Sequence, residues 1–206
     1  MSLRRLLLLL PLLVGCASPT ARLPGALPQP PLVERIDARV GAAFTGPARA
    51  YVHPTPLVRF PVGEASAARF RQAWEALFAE VVELPDWPPW REKPPPVDAV
   101  IELDKVAMEV AWGNDHDRAD FVRVLYRACL YRPDASPVKC WTAEAAGSHQ
   151  REPGECLSDL SVCVSEQADA VMREAIARFL LEFEADPEVK AWAAALPPRR
   201  REAAQP

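Results

Sequence analysis

The sequence is poor in the residues from which most catalytic sites are built. Its 206 residues include 8 glycines and 3 histidines. The glycines are scattered, so no Gly-rich loop is available to cradle a phosphate, and Gly63 stands by itself ahead of a helical stretch. His53, His116 and His149 lie outside metal-ligand spacing of one another, and neither HExxH nor GxSxG occurs. The chain also lacks any C-x₂-C pair. Cys129, Cys140, Cys156 and Cys163 are 11, 16 and 7 residues apart, which does not suit a zinc site. An excess of positive charge is missing too. The 24 Lys and Arg are outnumbered by 28 Asp and Glu, for a net charge of −4. The one dense basic run, Arg199-Arg200-Arg201, sits in a Pro-flanked tail, so the sequence carries no electrostatic footprint for nucleic acid. These absences point away from an enzyme and toward a protein with no cofactor and no metal.

Proline is what the chain has in excess, 23 residues clustered at 19–31, 85–96 and 197–206. Such segments read as linkers and a long loop around a folded body. Half of the residues are hydrophobic, enough for a packed core in one domain. At the N-terminus, Met1 to Arg5 is positively charged and Leu6 to Val14 is apolar. That apolar run is about half the ~20 residues a spanning helix needs, which suits an export signal better. It ends in Leu13-Val14-Gly15-Cys16.

This tetrapeptide resembles the lipobox of bacterial lipoproteins. The resemblance implies cleavage after Gly15, a diacylglyceryl group on the Cys16 thiol and acylation of the new amino terminus, palmitate included. Several acyl chains hold a protein firmly where one binds marginally. Loss of Arg4 and Arg5 with the signal would take the net charge from −4 to −6. Ala17 follows the cysteine, and the enterobacterial sorting pattern then implies an outer-membrane lipoprotein facing the periplasm. Residues 16–43 read as the lipidated cysteine and a Pro-rich tether, able to extend ~45 Å at ~3.1 Å per residue for its proline-dense part.

From 44 to 196 the pattern is that of a single domain, with 197–206 a disordered tail. Residues 32–43 look weakly helical or a mere lead-in. Ala48–His53 and Pro56–Val62 look extended, at an edge because of Pro54 and Pro56. A helix is expected from an N-cap at Ser66, with Phe70, Trp74, Leu77, Phe78, Val81 and Val82 in one stripe and Pro85 ending it. Val97–Trp112 reads as a strand with a flaw. Ala99, Ile101 and Leu103 alternate in one phase and Val106, Met108, Val110 and Trp112 in the other, so a β-bulge is expected at Asp104-Lys105. Strands at 120–132 and 138–144 follow. A final helix is expected near Ser165, striped by Met172, Ile176, Phe179, Leu180 and Phe183, and Pro187 opens a short extra helix. The order β-α-β-β-β-α implies an α+β two-layer sandwich, a mostly antiparallel sheet with two main helices on one face.

A turn centred between Asp134 and Ala135 makes opposing residue numbers add to 269. Cys129 then faces Cys140, Ala128 faces Trp141 and Tyr126 faces Ala143. Of the three connectivities open to four cysteines, this register selects Cys129–Cys140 with Cys156–Cys163. The oxidising periplasm makes both bridges chemically reasonable.

Three further candidates stand out. Trp87 and Trp90, in the loop PDWPPWREKPPP, either form a binding or membrane-interface surface or fold back on the helix end. Asp115-His116-Asp117 has carboxylates that could tune an imidazole or hold a metal, in a segment whose composition also suits a hairpin turn. Glu102 and Asp104 form a possible acid pair, or a solvated sheet edge. Finally, the Gly63-x-Ala65-Ser66 turn feeding a helix with Phe70, Trp74 and Phe78 resembles the lipopolysaccharide-assembly lipoprotein and the auxiliary lipoproteins of envelope ABC transporters. That resemblance implies a small α+β domain and a non-catalytic accessory or binding role. Its partners would be the membrane, through Cys16, and an envelope protein complex. The alternatives are a periplasmic enzyme built on the His116 turn and a purely structural envelope protein.

Overall fold

The computed structural model describes residues 18–29, 31–84, 96–112, 120–149 and 160–197, without the side chains of 149 and 160–163. Its elements are β1 (Ile36–Phe44), α1 (Gly46–Arg49), β2 (His53–Pro54), β3 (Arg59–Phe60), α2 (Val62–Leu77), β4 (Phe78–Glu83), β5 (Ala99–Ala111), β6 (Asp120–Tyr131), β7 (Pro137–His149), α3 (Leu160–Ala185) and α4 (Pro187–Ala194). A five-stranded sheet in the order β4-β1-β5-β6-β7 carries the helices, and β2 and β3 form a separate hairpin. This is the expected α+β two-layer arrangement. The sheet, however, is evenly mixed. β1 runs parallel to both β4 and β5, while β5, β6 and β7 are antiparallel.

The parallel half differs from the expectation in two places. Residues 36–44, read as a lead-in, are an interior strand, with Val40 opposite Val81 on one side and Ala99 on the other. Ala38, Val40 and Ala42 are buried against the helices, and Gly41 and Ala43 are buried on the opposite face. A parallel strand covered on both sides loses the polar alternation that marks a half-exposed one. Its alanines also favour helix when read locally. The second difference lies in the aromatic helix. It starts at Val62, one turn before Ser66, and stops at Leu77, where Phe78 turns extended (φ −116°, ψ 151°). Val81 and Val82 therefore belong to an edge strand and not to the helical stripe. Ser66 is an interior helical residue. It donates to Val62 O (2.6 Å) and shares a 3.0 Å hydrogen bond with the buried Tyr126 hydroxyl.

The antiparallel half follows the pattern closely. The β5–β6 register shifts between Leu103 and Lys105, so that Ala99, Ile101 and Leu103, then Val106 and Met108, all reach the core. Thr45 secures the bulge, its amide donating to Leu103 O and its hydroxyl to Asp104 O, both at 3.2 Å. In the next hairpin Cys129 faces Cys140, Ala128 faces Trp141 and Tyr126 faces Ala143. The turn is closed by Ala135 in the left-handed region (φ 68°) and by Asp134 Oδ1, which accepts from the Ser136 amide and hydroxyl. β7 runs on to His149, past the expected end at Glu144. The core is aromatic at its centre. Phe70 meets Tyr126 and Phe179 edge-on at 5.0 and 5.3 Å, and Trp141 packs on Phe183 at 4.9 Å.

The segment expected to be a free tether lies against the body from residue 18 onward. Thr20 bridges Arg59, the Arg59 amide donates to Pro19 O, and Ala21 N donates back to Arg59 O, both at 2.8 Å. Arg22 N then reaches Ser165 Oγ (3.1 Å), Leu27 N reaches Gln72 Oε1 (2.8 Å), and Glu34 N reaches Glu184 Oε1 (3.0 Å). Between these points the fully buried Arg69 donates through Nε and Nη2 to Pro24 O (2.9 and 2.6 Å) and pairs with Asp169. Residues 18–29 and 31–34 thus form a strap along the α2–α3 layer, and the folded body begins well before residue 44. A Pro-rich segment has little conformational entropy to lose on docking, and backbone carbonyls such as Pro24 O satisfy a buried guanidinium.

Candidate functional site

The predicted site residues fall into two groups. Cys16, Trp87, Trp90, Asp115, His116, Asp117 and Cys156 lie outside the described residues, as does the side chain of Cys163. Cys129 and Cys140 form a disulfide, with Cα atoms 4.0 Å apart on directly opposed positions of β6 and β7. It lies on the sheet face away from the helices, Cys129 buried and Cys140 exposed.

Glu102 and Asp104 are drawn into separate contacts. Asp104 sits 3.4 Å from Arg127, while Glu102, 5% exposed, hydrogen-bonds Tyr131. Burial, then the negative charges of Glu102 and Asp104, push the Tyr131 phenol above its ordinary value. The two carboxylates thus serve the sheet face locally. Among the described residues no three His, Cys, Asp or Glu side chains converge on a metal-sized point. No helix among them is long and apolar enough to cross a membrane.

The site that the fold does assemble is a cavity of about 360 Å³ at the end of the molecule where α4 turns back over the core. Its floor is Leu77, Phe183, Val189 and Ala193, and its rim carries Glu34, Arg35, Asp37, Glu184 and Lys190. Its size falls within the usual range of small-ligand pockets, roughly 300–1,000 Å³. Two rim groups are already held. Arg35 donates to Phe78 O (3.1 Å) and Ala79 O (3.0 Å) at the start of β4, and Glu184 accepts the Glu34 amide. The cavity exists because Asp186 stops α3 and caps α4. Its carboxylate accepts from Glu188 N (2.8 Å), Trp141 Nε1 (3.1 Å) and Lys139 Nζ (2.7 Å). Burial alone would raise the Asp186 carboxyl, but Lys139, the Glu188 amide and the Trp141 indole outweigh it and hold it below the usual range.

Chemically this arrangement suits an amphipathic group: an apolar body against Phe183 and Val189, with polar ends among charges of both signs. Asp186-Pro187 is a legible helix start, an acceptor at the N-cap followed by proline at the first helical position. No local signal joins that start to residues 34–37, which lie some 150 positions earlier in the chain. A second, shallower groove of about 310 Å³ runs between the strap (Leu27, Pro28, Pro31) and α3 (Ile176, Ala177, Leu180).

No protein-family model matches the chain, and no curated protein matches it at a significant level. Among solved structures, a Xanthomonas campestris protein described under the family DUF330 aligns over 80% of this chain and 95% of its own, at 12% identity and a TM-score of 0.45. A minor lipoprotein from Acinetobacter baumannii aligns over 74% and 94%, at 8% identity and a TM-score of 0.47. The rare lipoprotein B from Shewanella oneidensis aligns over 68% and 92%, at 9% identity and a TM-score of 0.38.

Proposed function

We propose that this protein is a membrane-anchored, non-catalytic accessory or binding lipoprotein of the bacterial cell envelope, held by lipid on Cys16 and facing the periplasm from the outer membrane. The observation that carries this reading is the continuity between the lipobox cysteine and the folded body. Cys16 stands two residues before Ser18, and from Pro19 onward the backbone is hydrogen-bonded to the domain. The proposed attachment point is therefore separated from the domain by only a short stretch of chain. The Cys129–Cys140 bridge is consistent with an oxidising compartment. The amphipathic cavity under α4 is where an envelope partner or a small ligand would be held.

Intact-mass analysis of the protein extracted from bacterial membranes tests the anchor. A diacylglyceryl and an acyl group on Cys16, both lost in Cys16→Ser, are expected, and an unmodified Cys16 would overturn the reading. Crosslinking in the native envelope tests the accessory role. A captured partner should disappear when Ala193→Trp fills the cavity. A catalytic activity abolished by His116→Ala in a folded protein would overturn the non-catalytic part.

A further inference from the structure

We infer that the β2–β3 hairpin, with Leu57 at its tip, is a membrane-contact surface that seats this domain on the lipid bilayer carrying its anchor. The inference rests on the lipidation of Cys16 proposed above, and chain length does the rest. Cys16 and Thr20 are four residues apart, so the extended chain between them spans at most ~14 Å. Thr20 is bridged to Arg59 of β3, and Arg59 exchanges two backbone hydrogen bonds with the strap. An acylated Cys16 in the headgroup layer therefore holds β3 within that distance of the lipid. A free ~45 Å tether would impose no such orientation.

The hairpin has the chemistry this position calls for. Leu57 is 47% exposed, one of few large apolar side chains left in water among the described residues, and Pro54 and Pro56 beside it are exposed as well. The tip is rigid. Thr55 N and Oγ1 both donate to Val58 O (3.0 and 2.8 Å), and Val58 N donates back to Thr55 Oγ1 (2.9 Å). Val58 and Phe60 are fully buried, so Leu57 is held outward by a turn that its neighbours pin from inside. Exposed Arg59 and Arg22 flank the strap crossing, and among the described residues neither guanidinium has an ion-pair partner. An apolar tip on a hairpin that also carries an exposed arginine suits the boundary between acyl chains and anionic headgroups. Acidic groups on neighbouring elements include Glu109 on β5, whose charge acts on His53, and the exposed Glu166 next to Ser165 in the chain. The cavity under α4 then lies at the pole away from the membrane. The strap runs along α3 from Ser165 to Glu184, nineteen residues or ~28 Å at ~1.5 Å each.

The test uses the full chain with its own signal segment in a Gram-negative host. A photoreactive benzoylphenylalanine replaces Leu57 in one version and Leu181, 67% exposed near the far end of α3, in another. Irradiated membranes are then analysed by mass spectrometry. The expected result is a phospholipid adduct at position 57, absent at position 181 and lost when Cys16→Ser releases the protein. Cys16 found lipidated with no lipid adduct at 57, with equal adducts at both positions, or with a protein adduct at 57 would overturn the membrane contact and leave the lipoprotein reading standing. An unmodified Cys16 would remove both.

Discussion

The indole N–H of Trp141 donates to Asp186 Oδ2 at 3.1 Å, joining the middle of β7 to the cap of α4 across 45 residues. The same carboxylate caps the helix and pairs with Lys139, so one side chain holds the roof of the cavity. Asp186→Ala removes the cap and leaves a buried indole donor without a partner. It should cost about 2–4 kcal/mol, read as a lower urea midpoint. Because the folded carboxyl titrates below the unfolded one, its stabilisation is present above the ordinary aspartate value of about 3.9 and is lost as pH falls through the lower folded value. The gap between wild type and variant should therefore close in acid and stay constant at neutral pH.

Arg69 is the pin of the strap. Arg69→Met keeps the volume but abandons Pro24 O and removes one of the two cations, Arg69 and Arg173, that pair with the Asp169 carboxylate. Because Arg173 remains on the partly exposed Asp169, the cost should fall below the roughly 3–5 kcal/mol of a fully buried pair broken outright. Limited proteolysis should nick residues 22–34 in the variant before the body is cut. Equal protection of the strap in both proteins would refute its attachment through Arg69.

Gly63 sits where α2 passes the end of α1. A Cβ there would lie 2.3 Å from Arg49 O and 2.4 Å from Ala48 O, both backbone atoms. Gly63→Ala must displace one helix end, at about 1–3 kcal/mol or more. Gly46→Ala is the control: its Cβ meets nothing within 4 Å, so it should be neutral or slightly stabilising. Thermal melting of the two variants side by side separates the outcomes.

Reduction of Cys129–Cys140 should lower stability by about 3 kcal/mol or less in the chain-entropy account, since the bridge closes a loop of 11 residues already ordered as a hairpin. Chemical denaturation with and without dithiothreitol, compared with the Cys129→Ala/Cys140→Ala double variant, measures it. The double variant should no longer respond to reductant at this pair.

His53 predicts a pH effect at the opposite pole. Its Nδ1 lies 3.2 Å from the Tyr51 hydroxyl, and burial lowers its basicity against the opposing pull of Glu109. The folded state therefore binds a proton less readily than the unfolded state. Stability is full above the ordinary histidine value of about 6.5 and falls as pH drops through the lower folded value. Melting temperatures at pH 7.5 and 5.5 should differ less in His53→Gln than in wild type.

Where a structural fact depended on neighbours in the chain, the residues announced it. The phase slip in Ala99–Trp112 marks the bulge at Asp104 because alternation reports which side of a strand meets the core. The composition of 133–137 marks the turn, and counting outward from it sets Cys129 against Cys140. The stripe from Met172 to Phe183 marks the buried side of α3 for the same reason. The stripe from Phe70 to Val82 misled, because helical and extended spacing cannot be told apart over the last few residues of an apolar run. Leu77 ends the helix because β1 offers Phe78–Glu83 a parallel edge to pair with.

By itself, then, the sequence determined the two-layer class, the antiparallel hairpins with the register of the second, the helical faces and the expectation of a lipid anchor at Cys16. Each rests on periodicity, turn chemistry or a contiguous motif. The tertiary structure alone decided that the alanine-rich β1 lies inside the sheet, that the Pro-rich strap is fastened by Arg69, and that Asp186 roofs a cavity walled by residues 34–37. Those features come from contacts between distant segments whose small or polar residues carry no local signature. Their stability comes from burial and hydrogen bonds that exist only once the chain has closed on itself.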